Sequence, residues 1–305
     1  MKYLQLVFLG DNRTRFYIWT ILLLFSTLIG FGQIPYVAGL MNAGVSMEQM
    51  GEVGIKEGIS ILGKNLFLTL QLVPFILLLI TLVFCVTKIH KQPAITLFTS
   101  RNSFDWKRYF YSLTLYGSIL SATTFISVML GAPIKWNMNP TTIILLTSIS
   151  LLIIPLQTAF EDVLFRGYIL QGLSIKIKRP LISIMISGIL FGLMHSGNPE
   201  VTLLGKSLLI YYILTGVFLG IVSVMDDGLE LGMGFHTANN IFGTLIITNN
   251  WQVFQTDALW IDTSPARIGW DLWVSLFLIY PIMLFIFSKK YAWAPFKNYL
   301  LKKEV

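Results

Sequence analysis

Residues 160–167 read FEDVLFRG, Phe160 to Gly167, and they follow an apolar run, Thr141 to Ala159 (TTIILLTSISLLIIPLQTA), of a length suited to lipid. Glu161, Asp162 and Arg166 thus fall within six positions of one another at the end of a segment that predicts a membrane-spanning helix. An ionisable group at mid-membrane costs about 2.5–3.5 kcal/mol on insertion scales, and such groups usually face the interior of a helix bundle. The stretch therefore predicts a bundle that encloses something polar.

The rest of the chain agrees with a membrane setting. Of 305 residues, 55% are hydrophobic and 12% charged, with a mean hydropathy of +0.71, whereas soluble domains carry roughly 25% charged residues. Eight runs approach the roughly 20 apolar residues that cross a bilayer: 16–38, 66–86, 110–131, 141–165, 181–196, 207–225, 229–249 and 270–287. The expected fold is an all-α polytopic transmembrane helix bundle of about eight spans. It divides into N-terminal helices and loops (1–140), a core (141–250), and a surface loop, last helix and basic tail (251–305). The first apolar run is too long for the h-region of an ordinary cleaved signal and lacks a small-residue cleavage site. No short internal repeat stands out.

The net charge of +7 is a matter of topology. With the N-terminus inside, sixteen of the 22 basic residues, from Lys2 to Lys302 and Lys303, fall on inside segments and five on outside loops. That bias fits the positive-inside rule with both termini cytoplasmic, in what reads as a bacterial plasma membrane. The basic residues suit contact with anionic membrane lipids and give no nucleic-acid footprint. A single cysteine, Cys85, excludes an intramolecular disulfide. The outside loops 42–64 and 249–269 are expected on the membrane surface, and Trp106 as an interfacial anchor. Oligomeric state has no signature here.

Polar residues inside the spans carry the functional signal. Asp162 and Arg166 are spaced i, i+4 and can pair on one helix face, while Glu161 is turned about 100° away with its carboxylate free. His236 and Asn240, also i, i+4, project from one face of the seventh span. His195 ends the apolar fifth span, and His90, in a basic loop, looks ordinary. Each feature alone has a plainer reading: a buried ion-pair clamp, or an interhelical hydrogen bond. Gly232, Gly234 and Gly243 read as points of close helix approach, and Asn239 as packing or capping. Together, three segments supply a base, a second imidazole and a pair of oxyanion donors. At 1.5 Å per residue the three groups lie at unequal depths, so a common site requires shifted helix ends or tilt.

These residues resemble the CPBP family of intramembrane proteases, which includes the type II CAAX prenyl proteases and bacterial Abi proteins. Its pattern EExxxR, FxxxH and HxxxN or HxxxD reads here as Glu161-Asp162-x-x-x-Arg166, Phe191-x-x-x-His195 and His236-x-x-x-Asn240, in order, over about 141–250. The resemblance implies hydrolysis of a membrane-associated peptide or protein. Glu161 would activate water with help from His195, His236 and Asn240 would hold the oxyanion, and Arg166 would orient the acidic pair. Asp162 departs from the usual Glu by one methylene. The family has been described both as metal-dependent and as glutamate-dependent. A divalent metal such as zinc, if used, would take Glu161, His195 and His236, although no HExxH is present. Two other classes fit the same polar residues: a non-enzymatic immunity or scaffolding protein, and a proton-coupled transporter. The substrate is not encoded in these motifs.

Overall fold

The structure, a computed structural model, describes residues 2–301, so Lys302 and Lys303 of the basic tail lie outside the described residues. It is 73% helical and 3% strand. Eight long helices carry the fold: α1 Thr14–Asn42, α2 Lys64–Ile89, α3 Trp106–Met129, α4 Ile143–Ile177, α5 Pro180–Gly197, α6 Leu208–Met225, α7 Glu230–Ile241 with a further turn Phe242–Ile246, and α8 Leu272–Lys290. Seven of them, all but α7, are long and apolar enough to cross a membrane. Their outer faces present side chains such as Ile144, Leu152 and Phe277, each more than 65% exposed, which only lipid would solvate well. The protein is an integral membrane helix bundle.

Helices pack closely where the sequence removes side chains. A Cβ on Gly188 of α5 would stand 2.7 Å from the backbone nitrogen of Val217 in α6, and one on Gly216 would stand 2.8 Å from the Gly188 Cα. The two backbones therefore cross glycine against glycine, as small residues permit in membranes. Between α3 and α7, a Cβ on Gly234 would run into the Tyr109 carbonyl. Gly232 and Gly243, expected to act likewise, have no neighbour nearer than 3.6 Å and need no such explanation. Around these crossings Tyr116 stacks on Phe235 (centroids 3.7 Å apart), and Leu82, Val163, Leu170, Ile184 and Val224 are wholly buried.

Two irregularities shape α4. Its first segment stops at Leu152 and a second begins at Ile154, with Pro155 in the first turn, since proline lacks a backbone N–H and crowds the preceding carbonyl. From Val163 to Ile169 the helix then winds as a π-helix, a form that recurs at functional sites. Glu161 and Asp162 are the last residues before that stretch. The helix runs on to Ile177, well past the expected end of this span, one reason why depths counted from the expected ends do not hold.

α7 supplies the other reason. Glu230, its first residue, is wholly buried, so the helix starts inside the protein and its end does not mark the membrane surface. Every residue from Glu230 to Ala238 is buried.

The first and last described helices come to one end of the bundle. There Asp226 accepts from Arg108 Nη1 (2.6 Å), Trp293 Nε1 (2.9 Å) and Arg101 Nη2 (3.2 Å). Glu230 accepts from Arg101 Nη1 and the Asp105 backbone, both at 3.2 Å, and Asp227 from the Tyr3 backbone at 3.1 Å. At the opposite end a small sheet forms: β1 Ile134–Trp136, β2 Ile247–Thr248 and β3 Trp260–Asp262. Its order is β1-β3-β2, β1 antiparallel and β2 parallel to β3, with Ile134 opposite Asp262 and Ile247 opposite Trp260. The segments expected as plain loops thus contain structure: β3 in 249–269 and the helix Ile55–Leu62 in 42–64.

Candidate active site

The π-helical turn and the buried α7 bring the acidic pair of α4 against the imidazole of α7. Asp162, 2% exposed, takes Arg166 Nη1 on Oδ1 at 3.0 Å and His236 Nδ1 on Oδ2 at 3.2 Å. Arg166 is wholly buried. Its Nη2 donates to the Gly216 carbonyl at 3.4 Å, its Cζ lies 4.2 Å from the Phe191 ring centroid, and its Nε has no partner. The expected i, i+4 pair is present, and it is joined to His236.

Glu161 turns away from Arg166, but its carboxylate is not free as expected. Its Oε1 accepts from Gln157 Nε2 at 2.7 Å, and its Oε2 lies 3.4 Å from His236 Nε2. Gln157 Oε1 in turn accepts from Asn240 Nδ2 at 2.9 Å, and Asn240 Oδ1 accepts from Asn239 Nδ2 at 3.2 Å. One polar chain therefore runs Asn239, Asn240, Gln157, Glu161, His236, Asp162, Arg166 across α4 and α7. Thr158 and Thr237, 2.9 Å apart, stitch the same two helices together. The chain constrains a proton. With Nδ1–H given to Asp162, His236 Nε2 and Glu161 Oε2 would face each other as two acceptors unless a proton lies on one of them.

His195 joins from the side. It sits at the far end of α5 in a 3₁₀ turn, His195–Gly197, and its Nδ1–H donates to the Phe191 carbonyl at 2.8 Å. Its Nε2 is then the free nitrogen. The Phe191 ring explains the FxxxH spacing physically: its centroid is 4.7 Å from that of His195 and 5.9 Å from that of His236, so one aromatic wedge sets both imidazoles. Tyr212 of α6 stacks on His195, centroids 4.2 Å apart at 20°.

The residues that a zinc ion would need are not gathered as ligands. Both ring nitrogens of His236 face carboxylates, and among the described residues no group of three or more His, Cys, Asp or Glu is placed to hold a metal ion.

Glu161, Asp162, Arg166, His236 and Asn240 are thus brought into one network, with His195 linked through Phe191. The sequence reading missed Gln157, whose only signal was an amide four residues before Glu161 in an otherwise apolar run, and Tyr212. It also misjudged His90. That histidine is 1% exposed, gives Nδ1–H to the Asp11 carbonyl and takes the Tyr168 hydroxyl on Nε2, both at 2.9 Å, tying the N-terminal segment to the π-helical part of α4.

Residues 140–242 match the sequence profile of the type II CAAX prenyl endopeptidase Rce1-like family. The matched region, about a third of the chain, contains Glu161, Asp162, Arg166, Phe191, His195, His236 and Asn240, so this part of the chain is similar to that endopeptidase family. A curated relative, the uncharacterized protein YyaK of Bacillus subtilis, is 29% identical over 167 residues, 54% of this chain. The chain spans 56% of that relative's length. No solved structure matches the chain.

Proposed function

We propose that the protein is an intramembrane endopeptidase that cleaves a membrane-associated peptide or protein by water activated on Glu161. The observation that carries this reading is the polar chain from Asn240 through Gln157 to Glu161 and on to His236 and Asp162, held inside a lipid-facing bundle. A carboxylate fixed on one oxygen and open to a proton on the other suits a general base, which contributes roughly 10²–10⁴-fold.

The steps balance on side chains alone. A water beside Glu161 gives its proton to the carboxylate as its oxygen attacks the scissile carbonyl carbon, and His195 Nε2 accepts the second water hydrogen as a hydrogen bond. The carbonyl oxygen becomes an oxyanion and takes hydrogen bonds from His236 Nε2–H and Asn240 Nδ2–H, donors of a kind worth about 10²–10³-fold each. Asp162, itself neutralised by Arg166, supports the positive charge on His236. The C–N bond then breaks as Glu161 returns its proton to the leaving nitrogen, and the carboxylate is restored. The shorter Asp162 meets both partners at ordinary distances, which supports reading it as a working replacement for Glu.

The end of the bundle that gathers the first and last described helices is, on this reading, cytoplasmic, and the membrane a bacterial inner membrane. The test compares new peptide termini, by mass spectrometry, in membranes expressing the wild type or Glu161→Gln at matched levels. Termini found only with the wild type are expected, and they identify the substrate. Identical sets, with a phenotype kept by the variant, would sink the hydrolytic reading and leave an immunity or scaffolding role. A zinc chelator is expected to leave the wild-type termini in place; a loss restored by added zinc would replace the metal-free scheme.

A further inference from the structure

His195 stands where α5 has already unwound, so the regular helix does not hold its ring. What holds it comes from elsewhere. Tyr212 covers one face of the imidazole nearly parallel to it, and the Tyr212 hydroxyl donates to Glu200 Oε1 at 2.5 Å. Glu200 lies in the short helix Pro199–Leu204 just after His195, and is 3% exposed. It also accepts from Asn198 Nδ2 at 2.9 Å and, on Oε2, from the Val253 backbone at 3.1 Å. Those three donors carry no formal charge. A buried carboxylate met by neutral donors alone is expensive, and it makes one strong, charge-assisted bond to the phenol beside His195.

We propose that Glu200 and Tyr212 are positioning residues for His195. Glu200 fixes the Tyr212 hydroxyl, the Tyr212 ring fixes the imidazole plane, and the Phe191 carbonyl fixes Nδ1. The ring is left with no freedom except at Nε2, the edge that would meet water. An offset or parallel aromatic pair of this kind leaves the ring edges open, whereas a hydrogen bond to Nε2 would have blocked the edge. Because Glu200 also grips the segment after β2, the loop that follows α7 and the turn that follows α5 are registered to each other through this one carboxylate. The catalytic part of the proposal rests on the hydrolytic reading; the restraint on the ring does not.

The experiment therefore has two arms on the intact, purified chain. In the first, diethyl pyrocarbonate modifies histidines and peptide mapping follows His195, with the buried His90 as internal reference. Tyr212→Phe keeps the stack but releases the hydroxyl, and Glu200→Gln keeps the shape but removes the charge. Each is expected to change the His195 rate by about threefold or more, as loss of one charge-assisted hydrogen bond allows, with His90 unchanged. Rates at His195 equal to wild type in both variants would overturn the proposal, and Tyr212→Phe decides alone if Glu200→Gln does not fold.

In the second arm, a synthetic peptide spanning the strongest wild-type-only terminus serves as substrate. Each variant should lower kcat by about tenfold with little change in KM, the size expected for one such hydrogen bond. In a His195→Ala background neither should cost anything further. Losses that multiply in that background would mean a purely architectural tie, which also overturns the proposal. If no wild-type-only terminus exists, the hydrolytic reading falls and the modification arm still decides the restraint.

Discussion

Gln157 takes a hydrogen from Asn240 and gives one to Glu161, so its removal leaves the buried Asn240 amide and the half-buried Glu161 carboxylate each short of a partner. Gln157→Leu is expected to lower cleavage by about tenfold or more, and stability by roughly 1–3 kcal/mol per orphaned group; thermal unfolding and the terminus assay measure the two separately. A second test at this scale concerns Arg166. Arg166→Met strands Asp162 at 2% exposure without its cation, and breaking such a pair from one side costs about 3–5 kcal/mol. The variant should unfold at markedly lower temperature, and Asp162→Asn in the same chain should recover part of the loss. Residues of this network were legible in the sequence where they carried charge, as Glu161, Asp162 and Arg166 do in an apolar run, or where two polar groups shared a helical spacing, as His236 and Asn240 do. Gln157 and Tyr212 were not, since a neutral amide or a phenol inside a span is unremarkable until its partner on another helix is known. His90 was misread for the same reason: nothing local to a basic loop shows that Tyr168 and Asp11 will enclose it.

Among the helices, the glycines separate necessity from coincidence. Gly234→Ala would drive a methyl group into the Tyr109 carbonyl and push α3 from α7, so folded yield in detergent should fall sharply. Gly243→Ala, whose nearest neighbour is 3.9 Å away, should express and melt like the wild type. Equal behaviour of the two would mean that α3 and α7 do not pack as described. Composition made the long apolar helices readable to within a turn or so at most ends. The break before Pro155 and the π-helical winding of 163–169 were not readable, because both depend on how α4 meets its neighbours. Strands of two or three residues, such as Ile247–Thr248, carry too few positions for an alternating pattern to register. They exist because 134–136 and 260–262 are brought together by the helices that precede them.

For the molecule as a whole, the cluster where the first and last described helices meet couples stability to pH. Burial pushes the Asp226 carboxyl up from 3.8 to about 6, outweighing the lowering by Trp293, Arg108 and Arg101. A carboxyl raised in this way binds its proton more tightly in the folded chain, so its contribution is full below pH 3.8 and is lost as pH rises through about 6. The unfolding temperature should be several degrees higher at about pH 5 than at about pH 7.5, and Asp226→Asn should remove most of that difference. The clamp of Arg101 and Arg108 on Asp226 and Glu230 was not readable in the sequence, since its members come from segments more than 100 residues apart. The burial of α7 has a consequence for how the protein is made. A segment holding Glu230, His236, Thr237, Asn239 and Asn240 does not partition into a bilayer by itself, and the insertion machinery would pass it over if it emerged alone. It can enter only once α3, α4 and α6 are in place to receive it. The helix that brings His236 and Asn240 is therefore admitted after the acidic pair is already inserted, and the polar chain that joins them comes into being only once those earlier spans are installed.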